Sequence, residues 1–169
     1  MADIPSDNTP VREAFTRTGP AGKGALVLAS WFGVGLLPGA PGTFGTAAAI
    51  PLVFLLDHLG GIWEGVALVG IAALAVWSSH RVRNLVGQED PPPVVVDEVT
   101  GFLVATLFVP FTWFTLGLCF VLFRFFDIAK PFPIKRLEKL RGGWGIVADD
   151  VMAGLYTWAV VRFMLPLLQ

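Results

Sequence analysis

Between residues 101 and 123 the chain carries no charged side chain, and carboxylates bracket the run, with Asp97 and Glu98 just before it and Asp127 just after. A helix rises about 1.5 Å per residue, so one straight helix over this run would cross a hydrocarbon core of roughly 30 Å. Asp97 and Asp127 would then lie on opposite sides of a membrane and share no site. Pro110, in LFVPFTWFTLG, allows a second topology. A turn there divides the run into two helices of about twelve residues, roughly 18 Å each, and returns both sets of carboxylates to one side. The hairpin is preferred because proline lacks a backbone donor and Thr112, Thr115 and Gly117 tolerate a turn. It also leaves the basic residues of both flanking loops on one side, the cytoplasmic side by the distribution of positive charge.

The other apolar runs, 44–56, 62–77 and 151–168, contain no charge beyond Glu64 and Arg162. With 54% hydrophobic and 15% charged residues, the chain exceeds the apolar share of an ordinary soluble domain and reads as an integral membrane protein. The expected fold class is all-α, a small membrane-embedded bundle built of helical hairpins. The segment WFGVGLLPGAPGTFGT, from Trp31, holds five glycines and two prolines, so it predicts an ordered loop that hands the chain to a helix from about Thr43 to Leu56. DHLGG breaks that helix before a second, from about Ile62 to Arg83, and this pair would place Thr43 and residues 80–84 on the same side. QEDPPP halts the chain again. Pro131 and Pro133 end the next helical stretch, residues 134–141 suit a short amphipathic turn, and Gly142, Gly143 and Gly145 precede a last helix from about Ile146. Residues 1–28 are polar and mixed in charge, without the apolar core of a signal peptide, and predict a flexible leader before a membrane-embedded domain over 29–169.

A net charge of −1 argues against a general nucleic-acid binder, yet six of the twelve basic residues fall between Arg124 and Arg141. Such a cluster suits an anionic membrane surface or a phosphate. The single cysteine, Cys119, sits in an apolar run, which excludes a disulfide framework and a thiolate metal cluster. His80, next to Arg81 and Arg83, is read as a helix-end histidine bonded to a carbonyl rather than as an acid or base.

Five carboxylates at the ends of apolar stretches mark the candidate site: Asp97, Glu98, Asp127, Asp149 and Asp150. Asp97 and Glu98 open a helix, where the dipole favours one acid but two exceed what a cap needs. Asp127 falls in a last turn, at the wrong end of the dipole, and requires a cation, either Arg124 and Lys130 at three-residue spacing or a metal. Asp149 and Asp150 project about 100° apart, so at least one faces the bundle. Oxygen donors without Cys or His favour a hard cation, Mg²⁺ first, with Mn²⁺ or Ca²⁺ as substitutes. Magnesium beside basic residues is phosphate chemistry. The loop around Gly42, Thr43, Gly45 and Thr46 could offer backbone N–H groups and hydroxyls to an anion at a helix start, or could be a glycine hinge that serves packing alone.

The blocks GVGLLPGAPGTFGT, DPPPVVVDEVTG, FRFFDIAKPFPI and GGWGIVADDVMAG, in this order and spacing, resemble the signature blocks of the phosphatidylglycerophosphatase A family over residues 29–161. The resemblance implies an all-helical, Mg²⁺-dependent lipid phosphomonoesterase of the bacterial inner (cytoplasmic) membrane, with its site on the cytoplasmic side. Its implied reaction hydrolyses phosphatidylglycerophosphate to phosphatidylglycerol and inorganic phosphate in phospholipid biosynthesis. Carried over by position, catalysis and metal binding fall to Asp97, Glu98, Asp127, Asp149 and Asp150, and phosphate binding to Lys130, Arg124, Thr43, Gly42 and Gly45. Asp150 is the choice for orienting the attacking water, while Asp90 and His80, in a stretch less uniform in the family, are set aside. The implied partners are the phospholipid substrate and membrane lipid, with no nucleic acid and no oligomeric state specified. The sequence patterns of haloacid-dehalogenase phosphatases, histidine-dependent lipid phosphatases and CDP-alcohol phosphotransferases are absent. A small cation transporter would place its acids near mid-membrane, and a noncatalytic scaffold would not need Asp127 where it is. Those are the two rival classes.

Overall fold

In a computed structural model that describes residues 8–167, the chain is helical, with no strand among the described residues. Its elements are α1 (Thr9–Arg17), α2 (Pro20–Ala29), α3 (Pro41–Ala48), α4 (Ile50–Leu59), α5 (Gly61–Val86), α6 (Val96–Thr106), α7 (Trp113–Ala129), α8 (Ile134–Leu137) and α9 (Gly143–Met164). Single 3-10 turns occupy Val34–Leu36 and Leu165–Leu167. α3 and α4 are nearly continuous through Ala49, whose φ of −76° and ψ of −20° remain helical.

The uncharged 101–123 run does not form one helix. α6 ends at Thr106 and α7 begins at Trp113. Thr112 caps α7 through a reciprocal box, in which the Thr115 N–H donates to Thr112 Oγ1 and the Thr112 N–H to Thr115 Oγ1, each at 3.0 Å. The turn in between is anchored from outside. Glu64 Oε2 accepts from the Phe108 N–H at 2.8 Å, Trp158 Nε1 donates to the Leu107 carbonyl at 2.8 Å, and Arg162 Nη1 donates to the Phe108 carbonyl at 3.3 Å. Glu64 and Arg162, the isolated charges of their apolar runs, thus satisfy backbone groups that no helix pairs.

α6 sits at the centre, packed most extensively on α9 and flanked by α5 and α7. Glycines permit the close α6–α9 crossing. A Cβ at Gly154 would collide with the Gly101 carbonyl, and one at Gly101 would stand 2.6 Å from the Asp150 carbonyl and 2.7 Å from the Phe123 ring. The core around this crossing contains Val99, Phe102, Ala105, Cys119, Phe123, Ala153 and Val161. Cys119 is buried there, as its apolar setting predicted, with its Sγ 3.6 Å from the Ala105 carbonyl.

The flexible leader expected over 1–28 is not what the described residues form. Its first seven residues lie outside the description, but α1 and α2 are helices, each with a proline in its first turn, where the missing N–H costs nothing. Val11, Ala14, Ala25, Leu26 and Ala29 bury themselves with Ala75 and Val82 of α5. The polar composition had masked a narrow apolar stripe. Two helical stretches, Pro41–Leu59 and Gly61–Val86, are long and apolar enough to cross a membrane, and α5 presents Ile62, Trp63, Val66 and Val69 outward. An exposed apolar face of this kind suits lipid rather than water.

Candidate active site

Three helix starts and one helix end converge on a cavity of about 400 Å³. The first turn of α6 supplies Asp97 and Glu98, the last turn of α7 supplies Asp127, and Lys130 follows as the α7 cap. The second turn of α9 adds Asp149 and Asp150, and α3 contributes Pro41 and Gly42 at its start. All five carboxylates picked out from the sequence therefore line one cavity, at one end of the bundle. That location follows from the α6–α7 hairpin, since a straight helix would have separated Asp97 from Asp127.

Within the cavity the five divide by partner. Asp97, Glu98 and Asp150 form a tight triad, with one oxygen of each lying within 4.8 Å of the others. Asp97 is 7% and Asp150 4% exposed. Burial, then the adjacent Glu98 charge, pushes the Asp97 carboxyl well above its usual range. Burial, then the charges of Asp127 and Glu98, does the same to Asp150. Asp127 and Asp149 instead hold protein cations. Asp127 Oδ2 lies 2.6 Å from Arg124 Nη1, and Asp149 Oδ2 accepts from Lys130 Nζ at 2.8 Å.

The triad fits a bound cation. Glu98 Oε2 and Asp149 Oδ1 are buried with no hydrogen-bond donor, and three acids at such range repel one another unless a positive charge sits among them. All the donors are oxygen, which suits a hard divalent ion.

The basic residues are held as tightly as the acids. Lys130 adopts a left-handed backbone, φ 42°, and is gripped by both Asp149 and Glu138. Burial lowers its pKa, but these two carboxylates more than reverse that and raise it above the ordinary lysine value. Arg124 lies under Gly42. A Cβ at Gly42 would collide with Glu98 Oε1 and stand 3.0 Å from Arg124 Nη1, so glycine leaves room for the guanidinium and Glu98 together; Arg124 itself does not line the cavity. Arg124 Nε and Nη1 have no aligned acceptor, the Asp127 contact being an ion pair without hydrogen-bond geometry.

The glycine loop divides as well. Gly42 lines the cavity, but Gly45 is pressed against Val95, where a Cβ would stand 2.7 Å from Val95 Cβ, and neither it nor Thr43 lines the cavity. Thr46 is buried and its hydroxyl donates to the Gly42 carbonyl at 2.8 Å, so it is not free for an anion. Gly45 thus makes a packing contact, close against Val95. His80 is exposed, pairs with Asn84 Nδ2 at 3.2 Å through Nε2 rather than with a carbonyl, and does not line the cavity.

Residues not singled out from the sequence also line it. Asp90, set aside at first, is there, and burial raises its carboxyl above the ordinary value against the opposing pull of Lys130. Glu138 was missed although its sequence offers a signal, as it is the single acid in the basic run KRLEKLR. Arg83, Lys139 and Arg141 complete the basic side of the wall.

Residues 27–165 match the model of the family described as Phosphatidylglycerophosphatase A. A protein of Escherichia coli strain K12 named Phosphatidylglycerophosphatase A is 34% identical over 143 residues, covering 82% of this chain and 81% of its own. The protein of the same name from Haemophilus influenzae strain Rd is 37% identical, covering 80% and 85%. A Bacteroides thetaiotaomicron protein, provisionally named a phosphatidylinositol-3-phosphatase, is 37% identical, covering 80% and 90%. No solved structure matches the chain.

Proposed function

The chain belongs to the phosphatidylglycerophosphatase A family of phosphoric monoester hydrolases, and on that premise we propose that it removes the terminal phosphate of phosphatidylglycerophosphate in a Mg²⁺-dependent reaction. The products are phosphatidylglycerol and inorganic phosphate, and the place of the reaction is phospholipid biosynthesis at the cytoplasmic face of the bacterial inner membrane. The observation that carries this reading is the close triad of Asp97, Glu98 and Asp150, with Asp97 and Asp150 buried and Glu98 half-buried, in a cavity that also holds Lys130.

Asp97, Glu98 and Asp150 would hold the metal, which when bound supplies positive charge to the phosphate oxygens. Lys130, fixed by Asp149 and Glu138, presents its ammonium to the same group, and Arg124, paired with Asp127 behind Gly42, adds positive charge from outside the cavity lining. A phosphoryl transfer of this kind is accelerated chiefly by positioning and charge stabilisation, and this wall supplies both. Water attacks phosphorus in line, the bond to the glycerol oxygen breaks, and the leaving alkoxide must gain a proton. Asp90, raised by burial and outside both the triad and the two ion pairs, is the carboxyl suited to deliver it. The role first given to Asp150, orienting water from outside the metal, sits less well with its place in the triad. Apolar helices such as α4 and α5 keep the acyl chains in lipid while the headgroup enters the cavity.

The deciding experiment is phosphate release from phosphatidylglycerophosphate in detergent, with Mg²⁺ or EDTA, for the parent and for folded Asp97→Asn. Activity that requires Mg²⁺ and collapses in the variant supports the reading. Turnover unaffected by EDTA would overturn it.

A further inference from the structure

The two cations nearest the triad are already committed, Arg124 to Asp127 and Lys130 to Asp149 and Glu138. Three others, which line the cavity, are held weakly or not at all. Arg83, in the last turn of α5, is 28% exposed, and its ion-pair partner at 3.0 Å is Glu89, which is 93% exposed and so contributes little. Lys139 and Arg141 line the cavity without an ion pair among the described residues. Besides the acid cluster with its own cations, which forms a floor, the cavity thus carries a basic rim whose one ion pair among the described residues is the exposed Arg83–Glu89 contact.

The rim also has an address. Leu140, between Lys139 and Arg141, and Trp144 just beyond are 47% and 64% exposed. Exposed apolar and aromatic side chains interleaved with basic ones sit at the level of lipid headgroups. A phosphorylated headgroup brings two phosphates to such a site, the monoester to be cleaved and the phosphodiester that joins the headgroup to diacylglycerol. The floor can take the first. The second carries a negative charge that needs a partner at headgroup depth, and the arginine fork matches two phosphate oxygens at once.

We propose that Arg83, Lys139 and Arg141 form a subsite for the internal phosphodiester of the lipid substrate and so distinguish a phosphorylated headgroup from a simple lipid monophosphate. This assignment rests on the lipid phosphomonoesterase reading above. Loss of two rim arginines removes charge-assisted contacts to the diester and leaves the monoester contacts intact, so the discrimination between substrates should fall by roughly tenfold or more.

The test compares kcat/KM for phosphatidylglycerophosphate and for phosphatidic acid of the same acyl chains, which has the monoester but no diester. The parent, Arg83→Ala with Arg141→Ala, and Arg136→Ala are measured in neutral detergent with Mg²⁺. Arg136 is a basic residue of the same segment that stacks on Phe132, 4.8 Å from the ring centroid, outside the cavity lining. A selective fall for phosphatidylglycerophosphate in the double variant, absent in Arg136→Ala, is the expected result. In parallel, soluble glycerophosphoglycerol, a diester without acyl chains, should inhibit the parent more strongly than the double variant. Equal loss on both lipids would mean that the rim binds bulk anionic lipid or serves folding, and would overturn the subsite, as would unchanged inhibition. A parent that releases phosphate from neither lipid would instead sink the phosphatase reading itself.

Discussion

Gly101 of α6 packs directly on the backbone of Asp150 in α9, so closely that a Cβ on Gly101 would stand 2.6 Å from the Asp150 carbonyl oxygen. One acid of the triad is therefore set by a helix crossing that only a residue without a side chain allows. Gly101→Ala must push α6 and α9 apart, because the obstacle is backbone, and overpacking of this sort costs about 1–3 kcal/mol. Gly65→Ala, on α5 with nothing within 4 Å, should be neutral or mildly stabilising. Thermal unfolding in detergent, with phosphate release measured on the folded fraction, distinguishes the two. Activity should fall in Gly101→Ala beyond what its lost stability explains.

The triad makes opposite demands with and without metal. In EDTA, Asp97→Asn removes one of three closely spaced, mutually repelling carboxylates, so the variant should unfold at a higher temperature than the parent. With Mg²⁺ the order should reverse, since the parent gains binding energy that the variant lacks. Catalysis should drop by about a hundredfold or more. A variant that gains as much from Mg²⁺ as the parent would remove Asp97 from the ligand set.

The same acids fix a pH dependence. Asp97 and Asp150 are raised in the fold above the ordinary value of 3.8, so between that value and their folded values the native state binds more protons than the unfolded chain. Their contribution is fully present below about pH 3.8 and is lost as pH rises through the folded values. Metal-free protein should therefore lose stability on going from acid to neutral pH, and saturating Mg²⁺ should flatten the slope. Denaturant midpoints at several pH values, with and without Mg²⁺, give the sign directly.

Lys130 is the most constrained cation of the site, held by Asp149 and Glu138. Lys130→Gln should lower kcat by about a hundredfold, the scale for loss of one stabilising donor to a developing charge, with a smaller change in KM. Lys130→Arg should recover only part, since the fork does not superpose on an ammonium. An effect confined to KM would assign Lys130 to ground-state binding instead.

Asp90 can be tested through the leaving group. If it protonates the glycerol alkoxide, Asp90→Asn should slow phosphatidylglycerophosphate hydrolysis strongly and an aryl phosphate, whose phenolate needs little help, much less. Equal slowing of both would point to an electrostatic or structural role for this carboxyl.

Much of this was legible in the chain itself. Pro110 and the Thr112–Thr115 pair mark the hairpin because capping and the lack of a proline donor are local properties. Carboxylates at the ends of apolar runs are likewise visible without coordinates, since no bilayer or core tolerates them unpartnered. The i,i+3 pairing of Arg124 with Asp127 follows from helical spacing alone. What only the tertiary structure decided is which acid meets which partner. That Asp150 joins Asp97 and Glu98 while Asp149 turns to Lys130 depends on the rotation and approach of α9 against α6. Gly45 packs on Val95 while Gly42 opens the wall, and Arg83 arrives from a helix that ends before Asp90. Local sequence sets backbone conformation and the ends of elements, but convergence across four helices is fixed by the distances at which their surfaces can pack, and those distances are set here by Gly101 and Gly154.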